Sequence, residues 1–286
     1  MNYRHSYHAG NFADVFKHAL QARIIEYLKR KDKAFRVYDT HAGAGAYSLS
    51  PEDNRDARGN PPEWVNGIGR LRNFQLAPDL AELLGPYLEI ALGPDGLEGG
   101  RYPGSPLLVR RLLRPADRLS AYELHPEDAE TLRQTFEGDH QVRVTHLDGW
   151  LVPNAHVPPK EKRGMVLIDP PFEIAGDFER MELALKQIAK RWEGGIVALW
   201  YPLKHDRQVA DFKKRLTWNG PNDVVAFELE TMQQGAEPRL HGTGMIVRNA
   251  PFTLASEMEV IGKPLAGILE AEPGHGRYRF ERLTAE

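Results

Sequence analysis

Four consecutive residues, Asp169-Pro170-Pro171-Phe172, carry the most specific chemistry in this chain. Two prolines in succession fix the backbone and remove two N–H donors. The neighbouring carbonyls stay free to accept, and Asp169 accepts too when ionised. An aromatic ring follows. Such a group suits an adenine taken out of its stack: Phe172 stacks on the base while Asp169 and a proline carbonyl accept from its amino group. The exocyclic nitrogen is a poor nucleophile because its lone pair is delocalised into the ring. Two acceptors on its hydrogens favour a tetrahedral nitrogen whose lone pair points at an electrophile. In-line positioning against a methyl sulfonium supplies the rest. The plainer reading is a Pro-Pro turn capping a buried strand.

A second motif, Asp39-Thr40-His41-Ala42-Gly43-Ala44-Gly45, follows a short apolar run. Two glycines one residue apart let the backbone turn tightly and approach a ligand closely. The motif departs from the dinucleotide fingerprint, because Ser48 stands where the third glycine belongs. A strand-ending acid about 20 residues on is also missing, and Glu123 comes far later. A nicotinamide dehydrogenase is therefore disfavoured.

These motifs need a scaffold that brings them to one place. Apolar runs alternate with helical patterns, the sequence form of βαβ units and a mostly parallel, doubly wound α/β sheet. The predicted strands are Phe35–Asp39, Arg118–Leu124, Val142–Thr145, Met165–Asp169, Ile196–Trp200, Val224–Leu229 and Met245–Val247. Helices are predicted from Ala13 to Leu28, Leu80 to Leu92, Leu107 to Leu113 and Glu127 to Phe136, then Asp177 to Trp192 and Gln208 to Leu216. Asp39, Glu123 and Asp169 each end a strand, and ligands of open parallel sheets bind outside the strands' carboxyl ends. Residues 48–103, rich in proline and glycine, fit the alternation poorly and read as a small helical subdomain inserted into one domain spanning residues 1–286.

Composition narrows the class further. Apolar residues make up 41 % and charged residues 27 %, which suits a soluble protein with a real core. With no cysteine, disulfides, thiolate nucleophiles and Cys-zinc sites are excluded. No apolar run reaches the roughly 20 residues of a membrane span, and the N-terminus carries no secretory pattern, so a cytoplasmic protein is expected. A net charge of −3 argues against sequence-blind nucleic-acid binding over the whole surface. Basic residues do cluster at Lys29-Arg30-Lys31, at Arg110-Arg111 with Arg114, from Lys160 to Arg163, and at Lys213-Lys214-Arg215. Each cluster reads either as a solvated helix face or as a local patch beside one pocket.

The Asp-Pro-Pro-aromatic motif resembles that of class I amino-methyltransferases acting on adenine N6. The stretch from Tyr3 to His18 (YRHSYHAGNFADVFKH) is more distinctive still. Together with Asp39 to Gly45, Tyr102-Pro103-Gly104-Ser105-Pro106, Glu123-Leu124-His125-Pro126 and Leu199-Trp200-Tyr201-Pro202, it resembles the bacterial 23S rRNA adenine-N6 methyltransferase family (RlmJ). The likeness runs in order from Tyr3 to about Pro251, and Phe172 departs from it where tyrosine is expected. The resemblance implies a Rossmann-like fold, S-adenosylmethionine as cofactor and 23S rRNA as substrate. It implies that His18, His41 and Ser105 line the cofactor site and that Glu123 binds the ribose hydroxyls. Asp148-Gly149 would hold the cofactor's adenine edge, Asp169 would border both cofactor and target base, and Tyr3-Arg4 would meet the RNA. The residues themselves agree for Glu123, an acid placed to accept from a diol, and for Asp148, which follows the third strand before a glycine.

Rival readings stay open at this stage. The tetrapeptide alone fits a DNA adenine-N6 methyltransferase, although no DNA-reading element is recognisable. A catalytically silent RNA-binding assembly factor on the same fold is another, since fold does not establish function. A hydrolase metal site built from His5, His8, His18 and His41 with Asp14 lacks any known ligand spacing, so no metal is expected. The sequence fixes no oligomeric state; a monomer is the working expectation.

Overall fold

A computed structural model describes residues 5–50, 62–235 and 239–285. The chain opens with α1 (His5–His8), α2 (Phe12–Lys29), β1 (Arg36–Asp39) and β2 (Ala46–Ser48). Then come α3 (Ile68–Leu71), α4 (Pro78–Leu92), β3 (Arg101–Pro103), α5 (Ser105–Leu112) and β4 (Arg118–Glu123). The middle holds α6 (Pro126–Thr135), β5 (Val142–His146), α7 (Val152–Ala155), β6 (Gly164–Ile168) and α8 (Asp177–Arg191). The last third comprises β7 (Ile196–Leu203), α9 (Asp206–Asn219), β8 (Val224–Glu230), β9 (Gly242–Arg248), α10 (Leu254–Leu269) and β10 (Arg277–Arg282).

Eight strands form one sheet in the order β10-β8-β9-β7-β6-β1-β4-β5, and β2 pairs with β3 in a separate small ribbon. From β7 to β5 all pairings are parallel, whereas β9 runs antiparallel to both β7 and β8. Strand β6 reads Gly-Met-Val-Leu-Ile and is buried throughout, as a strand covered on both faces must be. One face is covered by α2, α4, α5 and α10, the other by α8 and α9. The doubly wound α/β sheet expected from the sequence is what forms.

The chain leaves β1 outward to β4 and β5, then returns to the other side of β1 for β6 and β7. The sheet therefore reverses direction between β1 and β6, the switch point where open α/β sheets bind ligands. Asp39 ends β1 and Asp169 directly follows β6, so both acids stand on this crevice.

Helix α2 explains several charged residues that look misplaced in the sequence. Fourteen of its 18 residues are buried, so it is packed on all sides rather than lying on the surface. Asn11 caps it by accepting from the Ala13 and Asp14 N–H groups at 2.9 and 3.0 Å. Every charged side chain buried on such a helix needs a partner, because a buried unpaired charge costs several kcal/mol (roughly 3–5 when one partner of a pair is lost).

Within the stretch read as an insertion, α4 packs against α2, α5 and α10. The edges of several predicted elements shift: β7 runs on to Leu203 instead of stopping at Trp200, and β9 starts at Gly242 rather than Met245. Helix α10 and strand β10 were not expected at all. The regular pattern of α10 is interrupted by Pro264, and β10 is a largely exposed edge strand without apolar alternation.

Candidate active site

The site is assembled along the carboxyl edge of β1, β4, β5 and β6. Asp169 leaves β6 with its side chain 13 % exposed, and its Oδ2 accepts from Lys17 Nζ at 2.6 Å. Lys17 also meets Asp14 Oδ1 at 2.8 Å, one helical turn back. Burial pulls the Lys17 ammonium down, but the Asp14 and Asp169 carboxylates outweigh it and hold it above the ordinary lysine range. Its ammonium lies 5.8 Å from the centre of the Trp200 ring, which is itself fixed by an Nε1–H bond to Thr243 Oγ1 at 2.8 Å. Asp169 Oδ1 carries no hydrogen bond among the described residues.

Phe172 has φ +53°, a left-handed backbone that side chains bearing a Cβ seldom adopt. Its ring meets Phe178 at 5.1 Å and Trp200 at 5.7 Å between centroids, edge to face in both cases. Strain of this kind persists where surrounding packing over-determines it. Here the two prolines before it and the two rings beside it do so.

The turn after β1 is held from β4. Glu123 Oε2 accepts from the Gly43 N–H at 2.8 Å, and Oε1 accepts from the His125 N–H at 2.7 Å. Gly43 sits at φ +61°, and a Cβ there would stand 2.1 Å from the Tyr47 hydroxyl. Glycine is required on both counts. Gly149 presses its backbone against Thr40, where a Cβ would lie 1.9 Å from the carbonyl oxygen. The loop after β5 is thereby locked onto the loop after β1. Asp148 precedes it, half-buried, with Oδ1 accepting from the Trp150 N–H at 3.0 Å.

Asp39 is fully buried; Oδ2 accepts from Ser105 Oγ at 2.6 Å, while Oδ1 has no partner. Burial pushes its carboxyl up to about 7, the Ser105 bond opposing and the Asp169 charge adding. His41 is lowered to about 4, first by burial, against the charges of Asp169 and Asp148. Its Nδ1 lies 2.8 Å from Thr40 Oγ1 and its ring packs edge-on to Trp150.

The structure thus brings Ser105, Glu123, Asp148, Gly149, His41 and Asp169 of the predicted set to one edge. His18 differs. It is 1 % exposed, stacks on Tyr102 and bonds its hydroxyl through Nδ1 at 2.8 Å, with Tyr87 3.0 Å further along the chain of hydroxyls. Its ring is covered by Tyr102. Tyr3 and Arg4 lie outside the described residues. Sequence reasoning does not single out Lys17 as a site residue. The signal was Asp14-x-x-Lys17 in a helix buried on all sides, but its second partner is 152 residues away.

The histidines disperse: His8 bonds Glu63 Oε2 at 2.9 Å, while His18 and His41 have the separate partners above. Among the described residues no three His, Cys, Asp or Glu side chains converge as a metal-binding group. Nor is any described helix long and apolar enough to cross a membrane.

A central parallel sheet with strands β9 and β8 antiparallel and parallel beyond β7, and an Asp-Pro-Pro-aromatic turn at the switch point, defines a class I methyltransferase. Within that class the chain belongs to the family described as ribosomal RNA large subunit methyltransferase D, RlmJ, whose model matches residues 32–282. Two relatives named ribosomal RNA large subunit methyltransferase J are similar to it. That of Haemophilus influenzae is 38 % identical, covering all of both chains, and that of Escherichia coli is 39 % identical, covering 90 % of each. The crystal structure of protein LPL1258 from Legionella pneumophila superimposes with a TM-score of 0.84 at 30 % identity, over 96 % of this chain and 98 % of that one.

Proposed function

We propose that this chain methylates the exocyclic N6 of an adenine in 23S rRNA, with S-adenosylmethionine as the methyl donor. The observation that carries the reading is Asp169: an acid at the switch point, one oxygen fixed by Lys17, three residues before a Phe172 ring held against Trp200.

The residues present fit the cofactor. Asp39 offers a buried oxygen without a partner beside the turn after β1, which Gly43 and Gly149 hold in place through close contacts with Tyr47 and Thr40. Glu123 accepts one N–H on each oxygen and keeps lone-pair capacity for a ribose diol. Asp148 and Gly149 would hold the adenine edge, and His41 and Ser105 would line the pocket. His18 would act from behind Tyr102, keeping that ring in place. When bound, S-adenosylmethionine supplies an electrophilic methyl group on a sulfonium.

The protein's own part is orientation. Asp169 Oδ1 and a proline carbonyl accept the two amino hydrogens, which turns the nitrogen lone pair out of the ring plane. Aimed in this way, the nitrogen would take up the methyl group the cofactor supplies, and Asp169 would accept the spare proton and pass it to solvent. No strong base is needed, because the nitrogen becomes acidic as the bond forms. Phe172 supplies the stacking face. Tyr3 and Arg4 would contact the RNA. The whole chain is read as one catalytic unit, with residues 48–103 a helical insertion in it, acting in the cytoplasm as a monomer.

Incubation with labelled S-adenosylmethionine and unmodified 23S rRNA, followed by nucleoside analysis, tests this. N6-methyladenosine is the expected product. A different methylated nucleoside, or transfer to DNA alone, would overturn the assignment.

A further inference from the structure

Of the four basic clusters in the sequence, the structure pairs most members with carboxylates or backbone carbonyls. Arg30 pairs with Glu257, Arg110 with Asp139, Arg111 with Asp95 and Arg114 with Asp117. Arg163 bonds the Leu28 and Lys33 carbonyls, Lys213 pairs with Glu228 and Glu281, and Arg215 with Glu182. These charges are compensated within the protein and leave little for a polyanion.

Other cations remain uncommitted at the sheet's carboxyl edge. Lys204 follows the end of β7, Arg207 opens α9, Arg239 precedes β9, and Arg277 begins β10. All four are exposed, and none has an acidic partner among the described residues. Register sets the strand ends that Lys204, Arg239 and Arg277 flank side by side, with Arg207 in the first turn of α9. Leu203 pairs with Gly242, Gly242 with Glu230, and Glu230 with Arg277. Three strand spacings of about 4.8 Å put the ends of this row roughly 14 Å apart. The row begins one strand from β6, whose Ile168 pairs with Leu199 just before Asp169.

Beside the row, between α9 and strands β8 and β10, opens a groove of about 610 Å³ lined by Lys213, Glu228, Glu230, His241, Arg277 and Arg279 among others. Its carboxylates have partners: Arg279 meets Glu230 at 3.2 Å, Lys213 meets both Glu228 and Glu281, and His241 lies 3.3 Å from Asp206. The carboxylates Asp206, Glu228, Glu230 and Glu281 are balanced within the lining only when Arg277 is counted with Lys213, Lys214 and Arg279, whereas Lys204, Arg207 and Arg239 lie outside it.

We propose that Lys204, Arg207, Arg239 and Arg277 form a track for the phosphodiester backbone of the substrate RNA on one side of the methylated nucleotide. The proposal rests on RNA being the substrate. Phosphate contacts fix register and orientation without reading sequence. A row whose first member, Lys204, follows the end of β7 four residues beyond Trp200, and which runs outward along the sheet edge, does this for a strand whose target base is turned into the Asp169 site. A protein of negative net charge can then bind RNA through one strip rather than its whole surface.

The test is a quadruple variant, Lys204→Gln, Arg207→Gln, Arg239→Gln and Arg277→Gln, set against a control with the same charge change on the opposite edge. The control is Lys31→Gln, Lys33→Gln, Lys160→Gln and Lys162→Gln, all exposed and preceding β1 or β6. Binding to an unmodified 23S rRNA transcript is measured across a salt series, with cofactor affinity and single-turnover rate at saturating RNA. The edge variant should bind at least ~10-fold more weakly near 0.1 M salt, its salt slope reduced by about 3, from roughly 0.7–0.9 per lost phosphate contact. Cofactor affinity and the single-turnover rate should stay within about threefold, and the control should match wild type. An unchanged affinity and slope in the edge variant, or an equal loss in the control, overturns the track. If wild type itself fails to methylate 23S rRNA, the functional reading falls, and this inference with it.

Discussion

Lys17 and Asp169, 152 residues apart in sequence, form a 2.6 Å ion pair at the centre of the candidate site. Both side chains are largely buried, and Asp14 completes a three-member group with net negative charge. The lysine fixes one carboxylate oxygen, so the remaining oxygen has a set direction. In a reaction that depends on aiming a lone pair, that constraint matters more than basicity.

Removing the lysine should damage fold and catalysis together. Lys17→Met leaves Asp14 and Asp169 facing each other without a counter-charge, a loss of ~3–5 kcal/mol for a broken buried pair. Adding Asp14→Asn removes one of the two charges and should recover part of that stability but little turnover. Denaturant unfolding and single-turnover methylation on the same preparations separate the two effects. Full activity in the double variant would show that Lys17 is structural alone.

Asp169→Ala should be gentler on the fold, because Lys17 keeps Asp14 at 2.8 Å. Turnover should nevertheless fall by ~10²–10⁴-fold, the range for a positioned proton acceptor. If a folded Asp169→Ala protein that binds cofactor transfers methyl at the wild-type rate, the proposed mechanism is wrong.

Phe172→Ala should act on RNA affinity more than on chemistry, at ~1–3 kcal/mol for a lost base–aromatic stack. Phe172→Tyr keeps the ring against Phe178 and Trp200 and should behave like wild type. Comparing Kd and single-turnover rate for the two variants checks this; an Ala variant with intact RNA affinity would remove Phe172 from the base pocket.

Glu123 holds the Gly43 and His125 N–H groups, so Glu123→Ala both loses a diol acceptor and frees the turn after β1. Cofactor affinity should drop by ~1.5–3 kcal/mol, the scale of a hydrogen bond to a charged group. Glu123→Gln retains one acceptor and should fall between. Calorimetry showing equal affinity for a folded Ala variant would exclude Glu123 from the ribose.

Asp39 gives the stability a pH signature. Its carboxyl, pushed by burial from 3.8 to about 7, means that the folded state holds the proton more tightly than the unfolded chain. Its contribution is therefore fully present below about pH 4 and is lost as pH rises towards 7, at no more than ~1.4 kcal/mol per unit. His41, lowered by burial to about 4 from 6.5, slopes the opposite way across part of that window. The difference between wild type and Asp39→Asn in urea unfolding at pH 5, 6 and 7 isolates the carboxyl. A flat difference would place Asp39 at an ordinary carboxylate value.

The sequence determined the parallel strands of the central sheet and the edge on which chemistry occurs. Buried parallel strands must be continuous apolar runs, and the residues that end them must be where the chain turns. Asp39, Glu123 and Asp169 were legible for that reason, as was the Pro-Pro turn, whose rigidity is local. Tertiary structure alone decided how those residues are partnered. Lys17 reaches Asp169, Ser105 reaches Asp39 and Glu123 reaches Gly43 across long stretches of chain, and no local period encodes such pairings. It also covered His18 with Tyr102, and paired most of the conspicuous basic residues with carboxylates and carbonyls. Strand β10 emerged for the same reason: an exposed edge needs no apolar alternation, and the backbone of β8 is what pairs it. Charge counts in a sequence say how many ions a protein has. Which of them remain free to meet a substrate is settled by what each one touches after folding.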